Sequence, residues 1–248
     1  MNNMPKCWKK ETKPHLFCPG CGHAIALKQI GNAIDDLGIQ RQTTLGIDIG
    51  CSLLVWNFFD IDTLQTHHGR TTPAMVGFKM AKPNRVVLGY VGDGGGYAIG
   101  LQSLLHAAYR NNPVTIILIN NENYAMTGGQ MAPTTEVGTI TSTSAKGKPA
   151  KFGPGLHGPE LVRNIASPDA FISRVSVSNP ESIRNTIKKA ISNQIDKQAF
   201  SFVEILSICP TNWKTNAHDS FERLKLMEAF YHIGEINQGA DNAVNTAN

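Results

Sequence analysis

No stretch of about eighteen or more apolar residues occurs in the chain, so nothing in it reads as a membrane-crossing helix. The opening "MNNMPKCWKKETKPH" is polar and basic and lacks the apolar core of a secretion signal. A strong excess of one charge is missing too. With 23 Lys and Arg against 19 Asp and Glu the net charge is +4, and basic residues gather only in "KCWKK" and "KGKPAK". That argues against a nucleic-acid partner and leaves room for docking an acidic protein. Cysteine is scarce and odd in number, at five. Without a secretion signal, an odd set argues for a reducing cytoplasm and for metal or redox use of the thiols over a disulfide framework. Internal repeats and low-complexity tracts are absent as well.

What is present is an alternation of apolar strand-like runs with helical stretches over 248 residues, enough for one sizeable core. The pattern predicts strands at 43–50, 85–92, 114–121, 172–178 and 200–209, and helices at 22–37, 73–82, 98–110, 159–166 and 180–195. That order implies an α/β fold. The runs at 85 and 114 are apolar almost throughout, as strands of a mainly parallel sheet are when helices cover both faces. A single domain over 1–248 is expected, with flexible tails at 1–14 and 236–248. The polar, Gly/Pro-rich stretch 134–159 is long for a plain connection and is expected to be a functional loop beside the site.

The segment "VVLGYVGDGGGYAIGLQSLLHAAYRNNPVTIILINNENYAMTGGQ" carries the chemistry. It reads as a strand ending in Gly92-Asp93-Gly94, a helix, and a second strand ending in Asn120-Asn121. A right-handed β-α-β unit brings Asp93 and Asn121 to one crevice at the strands' carboxyl ends. Their oxygens are hard donors suited to Mg²⁺. Gly92, Gly94, Gly95 and Gly96 let the backbone approach a diphosphate at a helix N-terminus. The bland alternative is a glycine-rich turn and nothing more. A second constellation is "FCPGCGH", with Cys18 and Cys21. Two thiolates are too few for a tetrahedral zinc or a cubane cluster, but Cys51 in "DIGCSL" and Cys209 in "LSICPTNW" each end a predicted strand. A zinc site, a dithiol pair at Cys18 and Cys21, and an iron–sulfur cluster all remain open to these residues. Cys7 is left over, with no structural role expected.

With 25 residues between Gly94 and Asn120, the Gly-Asp-Gly to Asn-Asn spacing resembles the diphosphate–metal motif of thiamine diphosphate enzymes. The continuation "ENYAMTGGQMAPTT", together with "THHGRTTPAMVGFKMA" and "FCPGCGHA", resembles the β subunit of 2-oxoacid:ferredoxin oxidoreductases of the 2-oxoglutarate or 2-ketoisovalerate type. The resemblance spans roughly residues 15–235. It implies a thiamine diphosphate-binding, diphosphate-domain fold. Mg²⁺ would be held by the Asp93 and Asn121 side chains and the Asn123 backbone carbonyl. One [4Fe–4S] cluster would sit on Cys18, Cys21, Cys51 and Cys209. Gly50, Cys51, Ser52, His68, Gly69, Arg70, Gly92, Asp93, Gly94, Met126 and Thr127 would surround the organic cofactor. His67 and His106 are read as ordinary surface or packing residues, and Trp213 and Lys214 as a cover for the cluster.

The implied activity is oxidative decarboxylation of a 2-oxoacid, 2-oxoglutarate or branched-chain, to an acyl-coenzyme A, with electrons passing through the cluster to ferredoxin. Only the diphosphate half of a thiamine site fits in the chain, so an α subunit is expected to supply the pyrimidine contacts. A non-oxidative decarboxylase subunit has no use for four cysteines. A zinc-stabilised binding protein has no use for a diphosphate motif. Many members of the family carry an acid directly after Gly-Asp-Gly, where this chain has Gly95, so that acid's role is absent or filled elsewhere.

Overall fold

The computed structural model describes residues 4–9, 11, 15–56 and 58–237. A seven-stranded sheet forms its centre, built from β1 (Thr43–Ile47), β2 (Asp62–Gln65), β3 (Val86–Gly92), β4 (Thr115–Asn120), β7 (Phe171–Ser176), β8 (Ser201–Leu206) and β9 (Gly234–Glu235). A separate two-stranded ribbon pairs β5 (Asn123–Tyr124) with β6 (Gln130–Met131). The order across the large sheet is β2-β1-β3-β4-β8-β7-β9, parallel at every pairing except β7 with β9. The mainly parallel sheet expected from the apolar runs is therefore present, and β4 is buried along its whole length.

Helices cover both faces. On one, α1 (Gly22–Leu37) and α5 (Pro180–Asp196) pack together over Leu45, Leu88, Ile117 and Val203. On the other lie α2 (Thr71–Ala81), α3 (Leu101–Tyr109) and α4 (Gly158–Ile165), over Val87, Ile116 and Phe202. Neighbours in one strand thus feed opposite cores, the period-two consequence of the pleat. Two further helices, α6 (Pro210–Trp213) and α7 (Ala217–Tyr231), follow β8. A side chain completes the sheet's lower rim. Gln194 of α5, fully buried, accepts from Val87 N–H (2.9 Å) and donates to Val87 C=O (2.8 Å), acting as a substitute strand residue.

Several expectations need correcting. The strand β2 was not foreseen: its four residues are exposed at a sheet edge and only Leu64 is apolar, so no apolar alternation marks them. Helix α7 was missed because only Ser220, Leu224, Met227 and Tyr231 are buried along it. Residues 4–9, expected within a flexible tail, are packed. Trp8 pairs with Phe59 and meets Phe58 edge-on at 5.1 Å between ring centroids. Cys7 does have a structural role: it is fully buried, its thiol donating to Gly31 C=O at 3.4 Å. At the other end, Ile236 N–H donates to Ile172 C=O (2.9 Å), and 238–248 lie outside the described residues.

Towards the β9 edge of the sheet, Arg174 of β7 is wholly buried between two carboxylates, Glu204 of β8 and Glu160 of α4. Its two NH groups reach Glu160 at 2.6 and 2.7 Å in a bidentate pair, and Nε donates to Glu204. Burial alone would raise the Glu160 carboxyl. The approach of His157, whose Nδ1 lies 3.9 Å away, and the hydrogen bonds from Arg174 outweigh it and hold the group down at about 2. Arg174→Leu leaves two buried carboxylates without a cation and is expected to cost about 3–5 kcal/mol in urea unfolding. Because the folded-state value of Glu160 lies below its unfolded one, its contribution is present above about pH 4.5 and is lost as pH falls towards 2. Glu160→Gln should accordingly flatten the acid limb of a stability–pH curve measured by chemical denaturation.

Candidate functional site

The strand order turns back between β1 and β3, and ligand crevices in open α/β sheets form at such points, above the strands' carboxyl ends. There, three turns meet around a cavity of about 170 Å³. The turn after β1 contributes Ile49, Gly50, Cys51 and Ser52; the turn after β3, Gly92 to Gly95; the turn after β4, Asn121 and Asn123 to Thr127. His23 and His68 complete the wall. Gly50 has φ +140°, a conformation glycine alone adopts freely, and it lets the chain leave β1 sharply into the turn that carries Cys51.

Asp93 stands at the floor, 3% exposed. Its Oδ1 accepts from Gly94 N–H (2.8 Å) and its Oδ2 from the Thr134 hydroxyl (2.7 Å). Burial pushes its carboxyl up to about 7 against those two hydrogen bonds, so the site favours a cation beside it. The turn after β4 is held open by its own side chains. Asn120 Oδ1 accepts from Glu122 N–H (3.1 Å), and Glu122 adopts φ +57°, unusual for a non-glycine residue. A 2.8 Å ion pair with Arg223 holds the Glu122 carboxylate, and Trp213 Nε1 donates to Asn121 C=O (3.2 Å). These contacts present Asn121 and Asn123 to the same cavity as Asp93. Past Gly94 the chain enters a π-turn over Gly95–Ile99, closed by Gly100 N–H to Gly95 C=O (2.9 Å).

A second cavity adjoins the first. Cys18, Cys21, Cys51 and Cys209 all line it, with Phe17, Pro210 and Asn212 among its other walls. Thiols from three segments far apart in sequence thus meet in one place. Burial, and then the charge of the neighbouring thiols, pushes Cys51 up to about 12; burial likewise raises Cys21 to about 12. His23, Cys51, Asn121 and Ala125 line both cavities. His23 is 2% exposed, stacks on Phe17 (5.0 Å, 8° between planes) and has Nδ1 2.7 Å from the Tyr90 hydroxyl.

Of the anticipated cofactor residues, Gly50, Cys51, Ser52, His68, Gly92, Asp93, Gly94, Met126 and Thr127 line the first cavity. Gly69 and Arg70 stand behind it: Gly69 N–H donates to Asp48 (2.7 Å), and Arg70 donates to Ile99 C=O (3.0 Å). Trp213 and Lys214 line neither cavity. They border a larger one of about 1010 Å³ between the 136–145 loop and α7, where Arg223 lies over the Trp213 ring at 4.1 Å. His67 and His106 are exposed, as read. Sequence reasoning passed over His23, Asp48, Tyr124 and Thr134. His23 sat inside the quoted "FCPGCGH", and Asp48 three residues before Cys51. The 134–159 loop touches the site through Thr134.

A glycine-rich cradle with buried oxygen donors thus lies at the carboxyl edge of the parallel strands. Residues 48–205 match the family of the thiamine pyrophosphate enzyme, C-terminal TPP binding domain, and the chain belongs to it. Within it the chain is a member of the 2-oxoacid:ferredoxin oxidoreductase subunits of the KorB and VorA type. It is 34% identical to the 2-oxoglutarate synthase subunit KorB of Methanothermobacter marburgensis over 230 residues, 90% of this chain and 76% of that one. It is 41% identical to the ketoisovalerate oxidoreductase subunit VorA of the same organism over 213 residues, 84% of this chain and 44% of VorA. The chain thus spans less than half the length of that relative. A solved 2-oxoglutarate:ferredoxin oxidoreductase from Magnetococcus marinus, with 2-oxoglutarate, coenzyme A and succinyl-CoA bound, superposes with a TM-score of 0.76 at 29% identity, over 89% of this chain and 72% of that one.

The five thiols are unequally accessible: Cys18 is exposed, Cys21 and Cys51 are half-buried, and Cys7 and Cys209 are buried. Timed iodoacetamide labelling of the metal-free chain, read by peptide mass spectrometry, should find Cys18 modified first and Cys7 only on unfolding. Early labelling of Cys7 would show that residues 4–9 do not hold their packed place.

Proposed function

We propose that the chain is the thiamine diphosphate- and cluster-binding β subunit of a 2-oxoacid:ferredoxin oxidoreductase, forming an acyl-coenzyme A from 2-oxoglutarate or a branched-chain 2-oxoacid. One observation carries the reading: the oxygen-lined cavity and the four-cysteine cavity share a wall that includes Cys51. Bound thiamine diphosphate supplies an electron sink for decarboxylation, and a [4Fe–4S] cluster next to it supplies a one-electron exit towards ferredoxin. Asp93 and Asn121 would hold Mg²⁺ through their side chains and Asn123 through its carbonyl. The donor set fits, since all are oxygens and the buried carboxylate needs a cation. Gly92, Gly94 and the N–H groups leading into α3 would cradle the diphosphate. Cys18, Cys21, Cys51 and Cys209 would ligate the cluster. Four thiols around one cavity supply the donor set that a four-cysteine cluster requires.

The names of the relatives support this reading over a non-oxidative decarboxylase or a zinc-stabilised binding protein. A further α subunit would complete the site, a reading supported by the relatives being named as subunits. Ferredoxin, coenzyme A and a 2-oxoacid are the remaining partners. Among the described residues no helix is long and apolar enough to cross a membrane, which is compatible with a cytoplasmic place.

Anaerobic purification with iron and sulfide analysis tests the cluster. About four of each per chain, with an EPR signal after dithionite reduction, is the expected result; stoichiometric zinc without iron after reconstitution would overturn it. Cys209→Ser should lose that iron. Asp93→Ala should retain the iron yet weaken Mg²⁺-dependent thiamine diphosphate binding by more than the ~10–100-fold typical of losing an outer partner. Undiminished affinity in calorimetry would remove Asp93 from the metal site.

A further inference from the structure

We propose that Asp48 is a positioning residue for His68, its carboxylate holding the imidazole as the Nδ1–H tautomer so that Nε2 is offered to the cofactor cavity as a hydrogen-bond acceptor. Asp48 directly follows β1 and is fully buried. Its two oxygens are used differently. Oδ1 accepts from Gly69 N–H at 2.7 Å and from the Thr71 hydroxyl at 3.2 Å, which fixes the loop on either side of Arg70. Oδ2 has no hydrogen-bond partner and lies 3.5 Å from His68 Nδ1.

The ring's proton follows from its other neighbour. His68 Nδ1 is 2.8 Å from Ile49 C=O, and a carbonyl can only accept, so Nδ1 carries the hydrogen. A neutral ring with hydrogen on Nδ1 has its lone pair on Nε2. His68 lines the cavity, and that lone pair is what it has to offer a donor group of a bound ligand. Carbonyl and carboxylate together favour the same tautomer, as outer partners do for histidines elsewhere. Burial raises the Asp48 carboxyl above its ordinary value, against the pull of the Gly69 hydrogen bond, the nearby His68 and the Thr71 hydroxyl.

Space for this carboxylate exists because position 95 has no side chain. A Cβ placed on Gly95 would lie 2.0 Å from Asp48 Oδ2. The Asp48 carboxylate stands where a side chain from position 95 would begin. Asp48 and Gly95 are therefore coupled: the carboxylate from position 48 fits only while position 95 carries no side chain.

The test moves the acid. Full-length chain with ¹⁵N-labelled histidine is compared as wild type, Asp48→Gly and Asp48→Gly/Gly95→Asp, with His68→Gln assigning the His68 signals in long-range ¹H–¹⁵N spectra. The wild type is expected to show protonated Nδ1 and unprotonated Nε2; Asp48→Gly, a tautomer mixture; the double variant, the wild-type pattern. The functional arm rests on the proposed reaction. In the assembled complex kcat should fall by ~10–100-fold in Asp48→Gly with KM little changed, and should return to within about threefold in the double variant. Should Asp48→Gly not fold, Asp48→Asn keeps the shape and is read in the same two ways. A wild-type ring protonated on Nε2, or a tautomer unmoved by loss of the acid, overturns the proposal. The spectra need no cofactor, so absence of turnover in every variant would count against the proposed function and leave the assignment of Asp48 to the spectra.

Discussion

A guanidinium sealed inside the sheet with two carboxylates governs how the pieces of this fold can be arranged. Desolvating Arg174 is tolerable only while Glu160 and Glu204 stay in hydrogen-bond reach, so α4 and β8 are fixed to β7 at that height. The constraint then spreads by hydrogen bonds. Glu204 accepts from the Tyr97 hydroxyl (2.7 Å), which sits in the π-turn after the glycine motif, and from Asn120 Nδ2 (3.3 Å) at the end of β4. Arg174 also donates to Tyr231 C=O, and the Tyr231 hydroxyl donates to Thr134 C=O. Thr134 in turn holds Asp93. An unbroken polar chain therefore runs from the buried guanidinium on β7 to the carboxylate on the cavity floor. The turns that carry the ligand-binding residues take their position from it, since loops alone would leave them free to drift.

Much of this was legible in the sequence where the physics is local. The five apolar runs became parallel strands because burial on both faces demands continuous apolar residues, and Pro180 and Gly38 mark helix ends as such residues should. Two cysteines spaced closely, and a glycine turn a fixed distance from an asparagine pair, are visible without any fold. What could not be read depends on tertiary placement. Strand β2 carries no apolar alternation because it lies exposed at the sheet edge. Residues 4–9 look like a solvated tail until Cys7 and Trp8 are seen against α1 and Phe59. His23 and Asp48 were in plain view within quoted motifs. Their roles rest on neighbours 67 and 21 positions away, Tyr90 and Gly69.

The site also departs from comfortable backbone and electrostatics in a confined region. Glu122 sits at positive φ with one carboxylate oxygen lacking a hydrogen-bond partner, and Asp48 has a similar orphan oxygen. Both flank the turns that line the cavity. Buried acids of this kind are expensive in a plain scaffold, and their concentration at one sheet edge sets that edge apart from the well-satisfied lower rim, where Gln194 pairs both backbone groups of Val87.

The common wall between the two cavities has a consequence for how this sequence can drift. His23, Cys51, Asn121 and Ala125 each present one side to the oxygen-lined space and another to the thiol-lined space. A replacement that suits one chamber is judged at once by the other, so these four positions answer to two selective filters, whereas residues such as Thr127 or Pro210 answer to one. Change along the partition is therefore expected to come slowly and in compensating pairs, and the two chambers to diverge together across lineages.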